Sequence, residues 1–275
     1  MIDITLAERD VPTLIRDGMT IGIGGWGSRR KPLALVRAVI SSGAKNLTIV
    51  SFGGPDVGLL CASGQARRIV HGFVTLDSIP IDPHFARARQ AGEVETLELD
   101  EAMLGAGLRA ASRRLGFEAT RAGLGSDALR EGSGIRTIPC PYTGETLVAM
   151  PAIPLDLALL HADRADRRGN VQCLGEDPHL DDLFAGAAAT TIVSTDLLVE
   201  TEELGAAHPS TLHIPRTVVD HVVVVEDSVG FTANPPLRSR DENAQRSYAA
   251  AADHDETRRA YLAGFVAGAA GAEPR

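Results

Sequence analysis

The residues best suited to chemistry lie together in the run MTIGIGGWGSRRKP, residues 19–32. This run begins as an apolar strand, enters a glycine turn and ends in three cations before a predicted helix over 32–42. Glycine lets backbone N–H groups approach a ligand, and a helix N-terminus offers free N–H donors at its positive end. Cations there are unfavourable, and a bound anion would relieve the conflict. The run therefore predicts an anion- or oxyanion-binding turn at the carboxyl end of a strand.

Two other interpretations of the turn remain open. The spacing Gly22-x-Gly24-x-x-Gly27 matches the dinucleotide fingerprint, which expects an acidic residue about 20 positions later at the end of the next strand. The next predicted strand, 47–50, is followed instead by the sequence SFGGPD, so nicotinamide binding is only weakly indicated. A tight turn alone would explain the glycines, but it would leave the three cations at positions 29–31 unexplained.

Glu101 is the carboxylate whose position best suits catalysis. It follows a predicted strand over 95–99, and Asp100 suits the N-cap of the next helix, which places Glu101 in the first helical turn. Ligands of open α/β sheets bind at this carboxyl edge. An acidic residue in a first turn also stabilises the helix dipole by up to about 1 kcal/mol. Position alone favours that structural role.

Other candidate binding residues also have two interpretations each. Arg29 and Arg30 could hold a carboxylate or a phosphate group, or they could lie on a solvated turn. Arg121 could do the same, although a structural ion pair is the more common outcome. Trp26, the only tryptophan of the chain, could pack in the core or form the wall of a pocket.

The composition excludes several classes of function. A net charge of -9 argues against nucleic-acid binding, which needs a basic surface. The three cysteines and eight histidines have no disulfide or metal-ligand spacing, and an odd cysteine count fits a reducing compartment. No apolar run is long enough to span a bilayer, and the N-terminus has neither a signal nor a transit pattern. We therefore expect a cytoplasmic protein with no metal site, no membrane contact and no nucleic-acid partner.

The hydrophobic pattern positions these candidates on alternating strands and helices. It predicts helices over 5–16, 32–42, 58–61, 85–90, 100–115, 181–189 and 242–267. Besides the strand of the glycine run, it predicts strands over 69–75, within 190–200, over 222–225 and over the two segments named above. The middle of the chain reads as loop-rich, and residues 161–170 read as a polar turn. This is an α/β pattern, typical of an open, mostly parallel sheet with helices on both faces, in one domain over 1–275.

These residues resemble a known family. The sequence IGIGGWG over 21–27, followed by Pro32, resembles the N-terminal glycine motif of class I coenzyme A transferase α subunits of the glutaconate CoA-transferase type. The likeness continues through 51–56, 100–104, 121–127, 161–170, 181–183 and 201–204, nearly the whole chain. Within that family, residues 25–32, 53–61 and 73–77 are most similar to α subunits of steroid ring-cleaving hydrolases, which open a cyclic β-keto CoA thioester.

The resemblance implies a function and a partner. It implies the α subunit of a heterodimer or α2β2 heterotetramer, with the active site between α and β subunits and coenzyme A present only as part of the acyl-CoA substrate. In the ring-cleaving relatives an α-subunit glutamate is implicated in catalysis, and Glu101 matches it. The implied oxyanion- and substrate-binding residues are Gly24, Gly25, Trp26, Ser28, Arg29, Arg30 and Arg121.

Three activities stay open at this point. The first is carbon–carbon bond hydrolysis with Glu101 as general base. The second is true CoA transfer, in which a glutamate of the partner attacks the thioester, and the third is a non-catalytic binding subunit. One departure from the family lies at 227–233, where DSVGFTA replaces a Gly-Ala-His-Pro run, so contacts that the family makes through that loop are not carried over to this chain.

Overall fold

A large parallel sheet forms the centre of the protein. The computed structural model describes residues 2–130, 132–175, 178–205 and 209–268. Within them, an eight-stranded sheet has the order β11-β10-β8-β1-β2-β3-β4, in which neighbours are parallel, and β9 pairs antiparallel with β8. Its strands are β1 (Thr20–Ile23), β2 (Leu47–Gly53), β3 (Ala66–Val74), β4 (Glu95–Glu98), β8 (Leu155–Ala165), β9 (Val171–Gln172), β10 (Ala188–Leu198) and β11 (His221–Val224).

Helices cover both faces of this sheet, as predicted. They are α1 (Leu33–Ser42), α2 (Pro55–Ala62), α3 (Pro83–Gln90), α4 (Glu101–Ser112), α5 (Asp181–Ala187), α6 (Thr201–Gly205), α7 (Glu242–Ala250) and α8 (Asp255–Ala267). Alternate strand residues point to opposite faces. On one face Ile49 joins a core with α1, α2 and α3, and on the other Val50 joins a core with α4 and α5. Near-continuous burial of the central strands is the pattern expected of a sheet covered on both sides.

A second, smaller sheet occupies the part of the chain that we expected to be mainly loop. Strands β5 (Phe117–Thr120), β6 (Arg136–Pro139) and β7 (Thr146–Pro151) pair antiparallel in the order β5-β7-β6. The sheet is only partly buried, and Val148 and Met150 of β7 face the core that contains α4. Strands β5 and β6 have only four residues each, with apolar and polar residues mixed, so their sequences alone carried little strand signal.

Three other predicted boundaries differ from the structure. The predicted helix over 5–16 is a 3₁₀ helix, Glu8–Leu14, with Pro12 inside it. The predicted polar turn over 161–170 is wrong in its first half, because β8 continues to Ala165. The predicted tail helix over 242–267 is interrupted at 251–254, which separates α7 from α8. Among the described residues no helix has both the length and the apolar character needed to cross a bilayer.

Candidate active site

The glycine turn follows β1 at the carboxyl edge of the large sheet. Gly25 has φ 74° and Gly27 has φ 54°, values that a side chain rarely tolerates. A Cβ atom at Gly25 would lie 2.5 Å from the carbonyl oxygen of Arg29, so there is no room for one. A Cβ atom at Gly24 would lie 2.5 Å from a carboxylate oxygen of Asp181. The absence of side chains at Gly24 and Gly25 therefore lets the turn pack against other residues of this protein, not against a ligand.

The backbone amides of Gly24 and Gly25 already have acceptors inside the chain. Gly24 donates to the carbonyl oxygen of Leu159 at 3.0 Å, and Gly25 donates to Oδ1 of Asp181 at 2.9 Å. An oxyanion could be bound by these two N–H groups only if both hydrogen bonds were given up. Their role as oxyanion donors stays a prediction, and the geometry of this chain does not favour it.

The arginines of the turn pair with carboxylates of the chain. Nη2 of Arg30 lies 3.1 Å from Oδ2 of Asp181, and the two side chains are 3% and 1% exposed. Burial alone would lower the pKa of Arg30, but Asp181 and other neighbouring acidic groups have the larger combined effect, so the pKa of Arg30 is raised. Nε of Arg29 lies 3.5 Å from Oδ2 of Asp77, and this pair is partly exposed. Binding of a ligand by Arg30 would break its buried ion pair with Asp181. Of the two predicted substrate-binding arginines, only Arg29 is exposed enough to bind a ligand without that loss.

Lys31 is fully buried beside the turn. Its Nζ lies 3.2 Å from Oδ2 of Asp56 and donates to Oγ of Ser51 at 2.9 Å and to the carbonyl oxygens of Gly24 and Phe52. Burial lowers the pKa of Lys31, while Asp56 opposes that change. Each of the three cations thus faces an internal carboxylate. The conflict with the helix dipole is relieved by the protein itself, and the inference of a bound anion loses its main support.

Trp26 lies among other aromatic rings and is partly buried. Its ring stacks on Phe52 at a centroid distance of 4.7 Å and on His179 at 4.8 Å, and Phe73 approaches it edge-on at 4.9 Å. Most of the Trp26 side chain is therefore packed against neighbouring residues, as the core interpretation predicted. Its partly exposed remainder leaves a contact with substrate open, and that contact stays a prediction.

Two other predicted binding residues are engaged in structural contacts. Ser28 is fully buried, and its hydroxyl donates to Oε1 of Gln245 in α7 at 2.5 Å. The side chain of Arg121 is 73% exposed and pairs with Glu145, with Nη2 2.5 Å from Oε1. This is the ion-pair alternative that the sequence left open for Arg121. Contact of Ser28 and of Arg121 with a substrate stays a prediction.

Glu101 begins α4, as predicted, at the carboxyl edge of the sheet. The carboxylate of Asp100 caps the helix by accepting the amide of Met103 at 2.8 Å. Glu101 itself is exposed. The loop that carries Arg121 passes over this end of the helix, because Gly123 packs so closely on Sδ of Met103 that a Cβ atom would collide with it. Arg121 and Glu101 are thus brought to the same end of α4.

A cleft of about 840 Å³ opens beside this end of α4. It follows the edge of β4 and the facing residues 126–128, 130, 132 and 133, and Asp100 is among its lining residues. Its charged lining comprises Arg68, Arg89, Arg130, Glu95, Glu98, Asp100 and Asp127. Glu101 follows the lining residue Asp100 directly in the chain, but neither Glu101 nor the glycine turn lines this cleft. The cleft is a polar space of a size that accommodates a small-molecule ligand.

Sequence reasoning missed the acidic partners of the turn. Asp181 and Asp56 are both fully buried, and each sits in the first turn of a helix, α5 or α2. The only available signal was a first-turn acid beside each predicted helix, which is usually a surface feature. Their ion pairs with Arg30 and Lys31 follow from the packing of segments distant in sequence.

The protein is an open α/β protein with a glycine turn and a helix-borne carboxylate at the carboxyl edge of its parallel sheet. Proteins of this class bind their ligands at that edge. The chain belongs to the coenzyme A transferase family, whose sequence pattern matches residues 4–225. It is 47% identical over 262 residues to the cholesterol ring-cleaving hydrolase IpdA subunit of Rhodococcus jostii (strain RHA1), covering 92% of this chain and 88% of that protein.

Two solved structures share the fold. Glutaconate coenzyme A-transferase from Acidaminococcus fermentans superimposes with a TM-score of 0.89 at 23% identity, covering 95% of this chain and 88% of that one. The decarboxylase AibA/AibB, solved as a cysteine-to-serine variant, superimposes with a TM-score of 0.83 at 28% identity, covering 98% and 100%. The predicted fold class and the predicted family are both confirmed.

Proposed function

We propose that this chain is the α subunit of a hydrolase that opens the last steroid ring of a cyclic β-keto acyl-CoA thioester. The observation that carries the proposal is the 47% identity, over 92% of this chain, to a protein named as a subunit of a cholesterol ring-cleaving hydrolase. Support from the site is the position of Glu101 in the first turn of α4, at the carboxyl edge of the sheet.

In the proposed reaction, Glu101 acts as a general base. It removes a proton from water while the water oxygen adds to the ring ketone. In the alternative, it first removes a proton from the α-carbon region of the substrate, and water itself then adds to the ring ketone. The tetrahedral intermediate collapses in a retro-Claisen sense, the carbon–carbon bond breaks, and its electron pair leaves as the enolate of the thioester. Protonation of that enolate and ionisation of the new carboxylic acid complete the hydrolysis. General-base catalysis of this kind contributes about 10²–10⁴-fold to the rate.

A β subunit completes this site in our proposal. Glu101 is exposed in this chain, whereas a general base and an enolate intermediate are best served by a site from which bulk water is excluded. The relative from Rhodococcus jostii is named as a subunit, and the AibA/AibB structure is named for two proteins. We expect a heterodimer or an α2β2 heterotetramer. Native mass measurement of the co-expressed subunits tests this, and a stable, active single chain would contradict it.

The second candidate is a true CoA-transferase, which the family assignment favours as general context. The two activities differ in their need for an acceptor acid. The complex should be given a β-keto cyclic acyl-CoA in ¹⁸O-labelled water without any carboxylic acid. Under our proposal the ring-opened CoA product carries the label in its new carboxylate. A reaction that begins only when an acceptor acid is added, and that moves CoA to it, would identify a transferase.

We propose that no resident cofactor takes part and that coenzyme A enters only as part of the substrate. Among the described residues no group of three or more His, Cys, Asp or Glu side chains is arranged to hold a metal ion. Activity should therefore survive extensive dialysis against EDTA, and restoration by an added metal would contradict this.

A cytoplasmic location also stays a prediction, which cell fractionation would measure.

A further inference from the structure

The carboxylate of Asp181 is a buried link between the glycine turn and α5. Oδ1 accepts the Gly25 amide at 2.9 Å, and Oδ2 lies 3.1 Å from Nη2 of Arg30. Asp181 is the first residue of α5, so its own backbone is held by a helix. One side chain therefore contacts the turn near both of its ends. With an exposed fraction of 1%, it has no surface left to meet a substrate.

Both residues that Asp181 contacts have a positive φ angle, which glycine adopts readily but other residues rarely do. Gly25 has φ 74°, and Arg30, which is not glycine, has φ 50°. Left-handed backbone at a residue with a side chain persists only where its surroundings impose it. The carboxylate restrains both positions, because it accepts a hydrogen bond from the backbone amide of Gly25 and forms an ion pair with the side chain of Arg30.

The segment 179–181 also reaches the helix of Glu101. The ring of His179 stacks on Trp26 in the glycine turn at 4.8 Å. Leu180 packs on α4, since a Cβ atom at Gly105 would lie 3.3 Å from its Cδ1 atom. Gly105 is one helical turn beyond Glu101. The same three residues therefore contact both the glycine turn and the helix that carries the proposed general base.

We propose that Asp181 is a positioning residue that holds the glycine turn in register with the helix of Glu101, and so sets the geometry of the carbon–carbon bond cleavage. This inference rests on the proposed function. It assigns no contact with substrate to Asp181, because this side chain is buried, with Oδ1 hydrogen-bonded to Gly25 and Oδ2 in the ion pair with Arg30. A positioning role predicts an effect on the chemical step and on the conformation of the turn, with little effect on substrate binding.

The kinetic test compares Asp181→Asn with Asp182→Asn in the assembled complex. Asparagine at 181 keeps the size and one acceptor oxygen but removes the charge opposite Arg30. Asp182 is the adjacent, exposed acid of the same helix turn, so its variant is a matched control for the loss of one charge. We expect Asp181→Asn to lower kcat by about 10–100-fold with KM changed less than about threefold, as for a small displacement of a reacting geometry. Asp182→Asn should stay within about twofold of wild type in both constants.

The conformational test uses the single tryptophan of the chain, which lies in the turn. Incorporation of 5-fluorotryptophan places one ¹⁹F resonance in this subunit, identified by its absence in Trp26→Phe. We expect Asp181→Asn to shift or broaden that resonance and Asp182→Asn to leave it unchanged. If Asp181→Asn does not assemble, Asp181→Glu replaces it, because it keeps the charge but moves the carboxylate by one methylene group.

The outcomes separate this inference from the proposed function. An unchanged Trp26 resonance overturns the positioning role, and so does a shifted resonance with kcat equal to that of the Asp182→Asn control. If the wild-type complex does not hydrolyse the β-keto substrate at all, the proposed function fails. The resonance then decides alone whether Asp181 holds the turn.

Discussion

Replacing Asp82 with asparagine should remove a pH dependence from the stability of this protein. Asp82 is fully buried at the N-cap of α3, where Oδ1 accepts the Phe85 amide at 3.0 Å and Oδ2 accepts the Tyr248 hydroxyl at 2.6 Å. Burial raises the pKa of Asp82 from 3.8 to about 7, although the hydrogen bonds from Tyr248 and Phe85 act in the opposite direction.

The sign follows from the raised pKa. Between pH 3.8 and about 7 the folded protein holds a proton on Asp82 that the unfolded chain has lost. This contribution to stability is complete below pH 3.8 and is lost as the pH rises through about 7. A difference of about three pH units corresponds to about 4 kcal/mol in the free energy of unfolding, of which about 3 kcal/mol falls between pH 5 and 8. Asparagine is uncharged throughout this range, so the variant should lack this decline.

The assay is urea-induced unfolding followed by circular dichroism at pH 5, 6, 7 and 8, with protein concentration held constant. Asp241→Asn is the control, because Asp241 also caps a helix, α7, but is exposed. We expect wild type and the control to lose stability in parallel as the pH rises, and Asp82→Asn to diverge upwards from both. Parallel profiles for Asp82→Asn and wild type would refute the reasoning, because Asp82 would then be charged in the folded protein.

Three further predictions concern the site. Glu101→Gln should lower kcat by about 10²–10⁴-fold, measured by steady-state kinetics of the complex. Glu93→Gln, at an exposed glutamate that pairs with Arg87 of α3, should leave kcat unchanged. Persistent turnover in Glu101→Gln would favour a non-catalytic subunit. Lys31→Met should lower the free energy of unfolding, measured in urea, by about 3–5 kcal/mol, because it leaves the buried carboxylate of Asp56 without its ion-pair partner. Adding Asp56→Leu to that variant should recover part of the loss. Arg121→Ala should change stability by less than about 1 kcal/mol, so any large rise in its KM would indicate a contact with substrate.

Much of the fold could be predicted because it is encoded locally. The glycine turn after β1 and the cap at Asp100 depend on residues within a few positions of one another. Alternation of short apolar strands with helices was enough to predict an open parallel sheet covered on both faces. The position of Glu101 at the start of α4 follows from the same local signals, namely a strand end, a capping residue and a helical pattern.

Other elements depend on tertiary packing. The strands β5 to β7 are short and partly exposed, and Val148 and Met150 become core residues only because α4 lies beneath them. Residues 161–165 look like part of a polar turn, yet they continue β8, since β10 pairs with them on one side. A polar sequence can form a buried strand when its neighbours supply partners for its backbone and side chains.

The sequence by itself determined that three cations follow a glycine turn. It also determined the α/β fold, in which this turn and a helix-borne carboxylate share the carboxyl edge of the sheet. Only the tertiary structure decided what those cations meet. Arg29 pairs with Asp77, Arg30 with Asp181, and Lys31 with Asp56, all brought in from later parts of the chain. A buried charge must find its partner within hydrogen-bonding distance, and distances between remote segments are set by how helices and strands pack rather than by the order of residues.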